Sequence, residues 1–153
     1  MPRVMISYRN LDGQRDFALE LEQRLSDAGI DTWLDVKDIP RLSRWEKEIF
    51  KGIIDSDYVI LCLSPEYFES ETCLFECYIA RGYGKTLLPI ITPFWNAQSI
   101  HELIAKSETT RGIEHFTYLN LRVNSIYGYR FDYDEAMERL IHSIKQPTNA
   151  DIN

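Results

Sequence analysis

What the chain lacks narrows the field first. No apolar run in its 153 residues approaches the roughly 18 that a membrane-crossing helix needs, so no membrane association is expected. Its start carries Arg3 and no long apolar stretch of the secretion-signal kind. There are only three cysteines. Cys62 falls in an apolar run, and Cys73 and Cys77 stand four apart on a helical pattern. That is not metal-site spacing, and an odd number of thiols points to a reducing, cytoplasmic setting rather than a disulfide framework. His101, His115 and His142 are scattered through the C-terminal half, which leaves no histidine triad and no metal centre to expect. No Gly-x-Gly-x-x-Gly turn follows the first apolar run, so a dinucleotide held as a hydride carrier is not expected either. Cations are outnumbered, 17 Lys and Arg against 24 Asp and Glu, a net charge of −7. Nucleic-acid binding needs clustered cations, so no nucleic-acid partner is expected. No internal repeat and no low-complexity segment appears.

What is present alternates between strand and helix. Arg3 to Tyr8 is a short run of β-formers, a buried strand by its composition. Asp12 to Ala28 places Phe17, Leu21, Leu25 and Ala28 on one helical face, with Asp12 as N-cap and Gly29 as stop. Asp31 to Asp35 is a second strand. Val36 to Leu42 is a loop broken by Pro40. Ser43 and Glu46 then read as a capping box for a helix carrying Trp45, Ile49, Ile53 and Ile54. Tyr58 to Leu63 is a third strand, and Ser64-Pro65 opens one helix running to about Arg81, ending near Gly82 and Gly84. Thr86 to Ile91 is a fourth strand, Ile100 to Ala105 a short helix, Phe116 to Leu121 a fifth strand and Asp132 to Ile144 the last helix. Residues 1–146 make one domain, and 147–153 a polar, flexible tail. The pattern predicts a flavodoxin-like three-layer sandwich, a five-stranded parallel sheet with helices on both faces. Ligands of such sheets bind beyond the carboxyl ends of the strands. Those ends carry Ser7-Tyr8-Arg9, Asp35-Val36-Lys37, Ser64-Pro65 and Thr92-Pro93-Phe94-Trp95.

A receiver domain has the same alternation, but it wants an acidic pair after the first strand and an Asp ending the third. Here those places read Tyr8-Arg9 and Ser64-Pro65. Other residues decide. Val4-Met5-Ile6-Ser7-Tyr8 resembles the first signature of the TIR family. Trp33-Leu34-Asp35 resembles its second strand, with the acidic end that leads into the loop after it. Trp45 with Ile49 and Ile53 resembles the helix after that loop. Ser64, Tyr67, Ser70, Cys73 and Glu76 match the third signature, Ser-x-Trp-Cys-x-x-Glu at its centre. Leu88-Pro89-Ile90-Ile91 resembles the fourth strand. The resemblance runs from about Arg3 to Ile144. Two departures stand out: Thr72 occupies the place of the signature Trp, and Arg41-Leu42 the place of a common Pro-Gly pair.

The resemblance implies a chemistry. In enzymatic TIR domains a glutamate at the position of Glu76 acts on the ribose of NAD+. The implied activity is that of an NAD+ nucleosidase, releasing nicotinamide and leaving ADP-ribose or a cyclic isomer, with NAD+ as substrate and no cofactor. Ile6-Ser7-Tyr8-Arg9 and the Trp after the fourth strand are similar to NAD-hydrolysing animal members, which makes Tyr8, Arg9 and Trp95 candidate substrate contacts. Arg9 is suited to a pyrophosphate. Ser7, Asp35, Ser70 and Thr72 complete the candidate set. Trp45 is also in it, although its place on the helix face reads first as core. Stand-alone bacterial relatives imply a role in antiviral defence or cell-death signalling, self-association through the loop Lys37 to Arg44, and an effector that senses the nucleotide product. The other function the family offers is a TIR–TIR interaction module, an adaptor or a host-mimicking effector that does no chemistry.

Overall fold

The computed structural model describes residues 2–34, 45–94, 100–110, 119–120 and 133–145. Its frame is a parallel sheet in the order β2-β1-β3-β4-β5. Four strands have full length: β1 (Arg3–Ser7), β2 (Asp31–Leu34), β3 (Tyr58–Leu63) and β4 (Thr86–Ile91). At the β4 edge, β5 (Leu119–Asn120) adds a two-residue pairing opposite Ile90 and Ile91. The remainder of the strand read over Phe116 to Leu121 lies outside the described residues. Successive strand residues face opposite sides of a sheet, and the two cores follow that rule. Val4, Ile6, Ile60, Cys62 and Ile90 pack under α1 (Asp12–Asp27) and α5 (Tyr133–Lys145). Met5, Val59, Leu61, Leu63 and Leu87 pack under α2 (Trp45–Ile54), α3 (Glu71–Gly82) and α4 (Ile100–Lys106). Strands buried on both faces read as continuous apolar runs, and Tyr58–Leu63 does.

The helix stops obey backbone chemistry. Gly29 and Gly84 hold φ of +82° and +68°. In each case two N–H groups fold back on the last turn: Gly29 to Ser26 and Ile30 to Leu25, then Gly84 to Arg81 and Lys85 to Ala80. That is a Schellman closure, which needs the left-handed conformation glycine adopts most cheaply. Two expectations are corrected. Asp12 is not the N-cap of α1. Leu11 holds that place in an extended conformation without a side-chain cap, and Asp12 is the first helical residue, where its charge suits the helix dipole. The single helix from Ser64 to Arg81 is in fact two. Ser64 caps a 3-10 helix, Pro65–Glu69, and Ser70 breaks it with an extended backbone and caps α3 by accepting from the Cys73 N–H. The Ser43 cap lies outside the described residues, as does the Glu46 side chain.

Close packing ties α2 to β2. A methyl group on Gly52 would lie 2.7 Å from the Trp33 indole. Gly52→Ala is therefore expected to destabilise, since overpacking costs about 1–3 kcal/mol and the helix propensity of Ala returns at most about 1. Urea unfolding should show a lower midpoint, whereas an unchanged one would mean that the indole swings aside freely.

Candidate active site

In this strand order the chain runs from β1 outward to β2, then returns to β3 on the other side of β1. The gap beyond the carboxyl ends of β1 and β3 is the topological switch point, the usual ligand crevice of such sheets. Ser7 ends β1, Ser64 follows β3, and α3 lies over the same end of the sheet. The 3-10 helix and its break place two side chains against Ser7: Tyr67 from the 3-10 helix and Glu76 from the second turn of α3.

All three are fully buried, each at 0% exposure. Ser7 Oγ lies 2.7 Å from Tyr67 Oη and 3.3 Å from Glu76 Oε1. Tyr67 Oη is also 3.2 Å from the Cys73 carbonyl oxygen. Burial first, then the Cys77, Cys73 and Glu76 charges, push the Tyr67 phenol well above its ordinary value, with the Ser7 hydrogen bond opposing. The phenol is thus a neutral donor at any physiological pH. A second clamp sits beside it. The Ser64 hydroxyl donates to Gln14 Oε1 at 2.6 Å and accepts the Tyr67 N–H at 3.1 Å, joining α1, the end of β3 and the 3-10 helix. The Cys73 thiol donates to the Tyr8 carbonyl at 3.2 Å, pinning α3 to the chain leaving β1.

The Cys77 thiol is pushed up to about 12, by burial and by Glu76 and Cys73, against the nearby Arg81. A thiol kept neutral is no nucleophile. It also makes stability depend on pH. Below about 8.5, where an unfolded thiol titrates, it is neutral in both states. Above that the unfolded chain ionises first, so this stabilising term falls by about 1.4 kcal/mol per pH unit until the folded thiol titrates near 12. Urea unfolding from pH 8 to 11 should lose stability more steeply in the native chain than in Cys77→Ala. Equal slopes would mean that the buried thiol ionises freely.

The candidate residues divide by place. Ser7 and Glu76 come together, both turned inward. Tyr8, next along the strand, points to the opposite face and is 3% exposed, in the core under α1 and α5. Ser70 is 4% exposed, and its hydroxyl caps α3 by accepting the Cys73 N–H. Thr72 is half-buried in the first turn of α3. Arg9 is half-buried beyond β1, and its shielded Nε makes no hydrogen bond among the described residues. A cation donor held that way fits an anionic ligand. Trp45 opens α2, but its side chain, Asp35, Trp95 and the loop Lys37 to Arg44 lie outside what is described. The hydroxyl of Tyr67, Gln14 and the clamp at Ser64 were missed as site parts. Their sequence separations are 50 residues or more, and the one local signal was Ser-Pro followed by Tyr, which fits a capped turn. Among the described residues no cluster of His, Cys, Asp and Glu is placed to hold a metal ion, and no helix is long and apolar enough to cross a membrane.

A buried carboxylate at the switch point of a β2-β1-β3-β4-β5 sheet, held from the end of β1, defines the class. The chain belongs to the TIR domain family, whose model matches residues 4–141. BdTIR of Brachypodium distachyon, a probable 2' cyclic ADP-D-ribose synthase, is 27% identical over 132 residues, 84% of this chain and 59% of that protein. The NAD(+) hydrolase TirS of Staphylococcus aureus is 27% identical over 105 residues, 67% of this chain and 36% of that protein. The chain thus spans under two thirds of either relative. The TIR domains of the activated Roq1 resistosome match with a TM-score of 0.66 at 19% identity, over 94% of this chain and 99% of that one, a likeness of fold.

Proposed function

We propose that the chain is an NAD+ nucleosidase of the TIR family, cleaving the nicotinamide–ribose bond to give nicotinamide and either ADP-ribose or a cyclic isomer. The observation that carries the reading is Glu76: a carboxyl group at the switch point, fully buried and held by the Ser7 hydroxyl. Two relatives named for NAD+ hydrolysis and cyclic ADP-ribose synthesis support it.

The chemistry asks little of an acid. Nicotinamide leaves as a neutral molecule from a cationic ring, so no proton donor is needed. What the reaction needs is negative potential beside the anomeric carbon as the ribose acquires oxocarbenium character, and a preorganised carboxylate in a dry site provides it. The parallel with carboxylate-assisted glycosidases is one of charge. Arg9 binds the pyrophosphate. Trp95, Trp45 and Asp35 are further substrate contacts, and Thr72 stands where an aromatic ring would stack on the base. Because Glu76 is wholly covered in this state, turnover requires its cover to shift, a gating step of the kind many enzymes use. Self-association through Lys37 to Arg44 completes the cleft with a neighbour's loop. The setting is cytoplasmic defence or cell-death signalling, with an effector sensing the product.

The second reading, a TIR–TIR interaction module, draws on Thr72 and on the covered carboxylate. Incubating concentrated protein with NAD+ and separating the products by chromatography tells the two apart. Nicotinamide release lost in Glu76→Ala supports the enzyme, and the accompanying nucleotide peak shows hydrolysis or cyclisation. Intact NAD+, together with binding to a TIR partner lost on changing Ile39 or Leu42, supports the module.

A further inference from the structure

Three contacts at the switch point compete for two protons. Ser7 Oγ meets both Tyr67 Oη and Glu76 Oε1, and Tyr67 Oη also meets the Cys73 carbonyl. Each hydroxyl owns one proton. The 2.7 Å separation of Ser7 and Tyr67 is the ordinary length of a made O–H···O bond, so a proton lies in it. One proton is left for the other two contacts. If Tyr67 donates to Ser7, then Ser7 donates to Glu76, and the Cys73 carbonyl keeps only its helical bond. If Ser7 donates to Tyr67, then Tyr67 donates to Cys73, and Glu76 must bring its own proton to Ser7. All three contacts are made at once only with three protons, when the Glu76 carboxyl is protonated.

We propose that Ser7 and Tyr67 are positioning residues whose hydrogen-bond chain reverses with the charge of Glu76. It runs Tyr67 to Ser7 to Glu76 when the carboxyl is ionised, and Glu76 to Ser7 to Tyr67 to the Cys73 carbonyl when it is protonated. The functional weight of this chain rests on reading Glu76 as the catalytic carboxylate. A neutral carboxyl is far cheaper to cover completely than a charged one. The chain thus stores Glu76 neutral while it is covered. After ionisation it turns a hydroxyl toward the carboxylate.

The count fixes a sign. Loss of the Tyr67 hydroxyl removes two bonds from the protonated arrangement, Ser7 to Tyr67 and Tyr67 to Cys73. It removes one from the ionised arrangement, Tyr67 to Ser7. Tyr67→Phe therefore favours the ionised carboxyl, the reverse of what a drier, less polar surround would do. Without the Ser7 hydroxyl, Tyr67 bonds only Cys73 in either state, so its removal no longer favours the ionised carboxyl. Among the described residues, Tyr67 from the 3-10 helix and Cys77 from α3 are coupled electrostatically to Glu76; Cys73 is coupled to both of them, and Arg81 to Cys77. Ser7 from β1 and Gln14 from α1 do not titrate, and α2 and α4 bring Ile49, Ile53 and Ile104 to that core. Tyr67 and Cys77 are both pushed up, so neither titrates with a carboxyl.

The test uses the whole chain labelled with 13C at the glutamate side-chain carboxyl, with the Glu76 signal assigned by its loss in Glu76→Gln. Its titration midpoint is expected to fall by about half a pH unit or more in Tyr67→Phe, about the worth of one hydrogen bond. The fall should vanish in a Ser7→Ala background and return in Ser7→Thr, which keeps the hydroxyl. A rise, no shift, or an equal fall in the Ser7→Ala background overturns the proposal. The readout does not depend on turnover, so failure of NAD+ cleavage would count against the enzymatic reading alone.

Discussion

Glu76→Gln is expected to lower nicotinamide release from NAD+ by about 10²–10³-fold while the chain stays folded. The magnitude is that of removing one preorganised electrostatic group from a developing charge. Gln matches Glu in length and shape, so it fills the same buried space and still offers an oxygen to Ser7 Oγ. What it lacks is the negative charge beside the ribose. Glu76→Asp keeps the charge but withdraws it by one methylene, and misplacement by about 1 Å costs on the order of 10²-fold in rate. Both variants should therefore be poor enzymes, and the isosteric Glu76→Gln should keep a near-native unfolding curve. A Glu76→Gln protein that cleaves NAD+ at the native rate would remove the carboxylate from the mechanism.

Tyr67→Ala is expected to cost about 3–5 kcal/mol of stability, the usual loss for deleting a buried aromatic ring. Tyr67 heads the fully buried side chains by size. It belongs to the same buried cluster as Leu61, Leu63, Cys73 and Ile104, and meets Phe68 edge-on at 6.0 Å. Its removal opens a cavity where the 3-10 helix, β3 and α3 converge. For a chain of this length each kcal/mol is worth about 2–4 °C, so the thermal midpoint should fall by about 6–20 °C. Tyr67→Phe keeps the ring and should lose only about 1 kcal/mol. Equal losses in the two variants would mean that the hydroxyl, rather than the ring, holds this corner together.

The parts of this fold legible in the sequence are those whose signals are local. The bounds of β3 and β4 follow the apolar runs Tyr58–Leu63 and Thr86–Ile91 to the residue. Gly29 marks a real helix stop because a left-handed backbone is a local demand. The split of one expected helix into Pro65–Glu69 and Glu71–Gly82 was less legible. Ser64-Pro65 is so strong a start signal that the second cap, Ser70, passes as an ordinary helical residue. At the site, the position of Glu76 came from the order of its signature residues. The opposite facing of Ser7 and Tyr8 was available from strand alternation alone. The partners that hold Glu76 were not available. Ser7 and Tyr67 are 60 residues apart and Ser7 and Glu76 are 69 apart, and only the β1–β3 pairing brings them together.

The most direct test of the central claim is a time course of nicotinamide release from NAD+ by the native chain at high concentration, beside Glu76→Gln. The account predicts steady release by the native chain, rising more than proportionally with protein concentration, and a nearly flat trace for the variant. NAD+ left intact by the native chain at every concentration, with self-association demonstrated in the same samples, would contradict it.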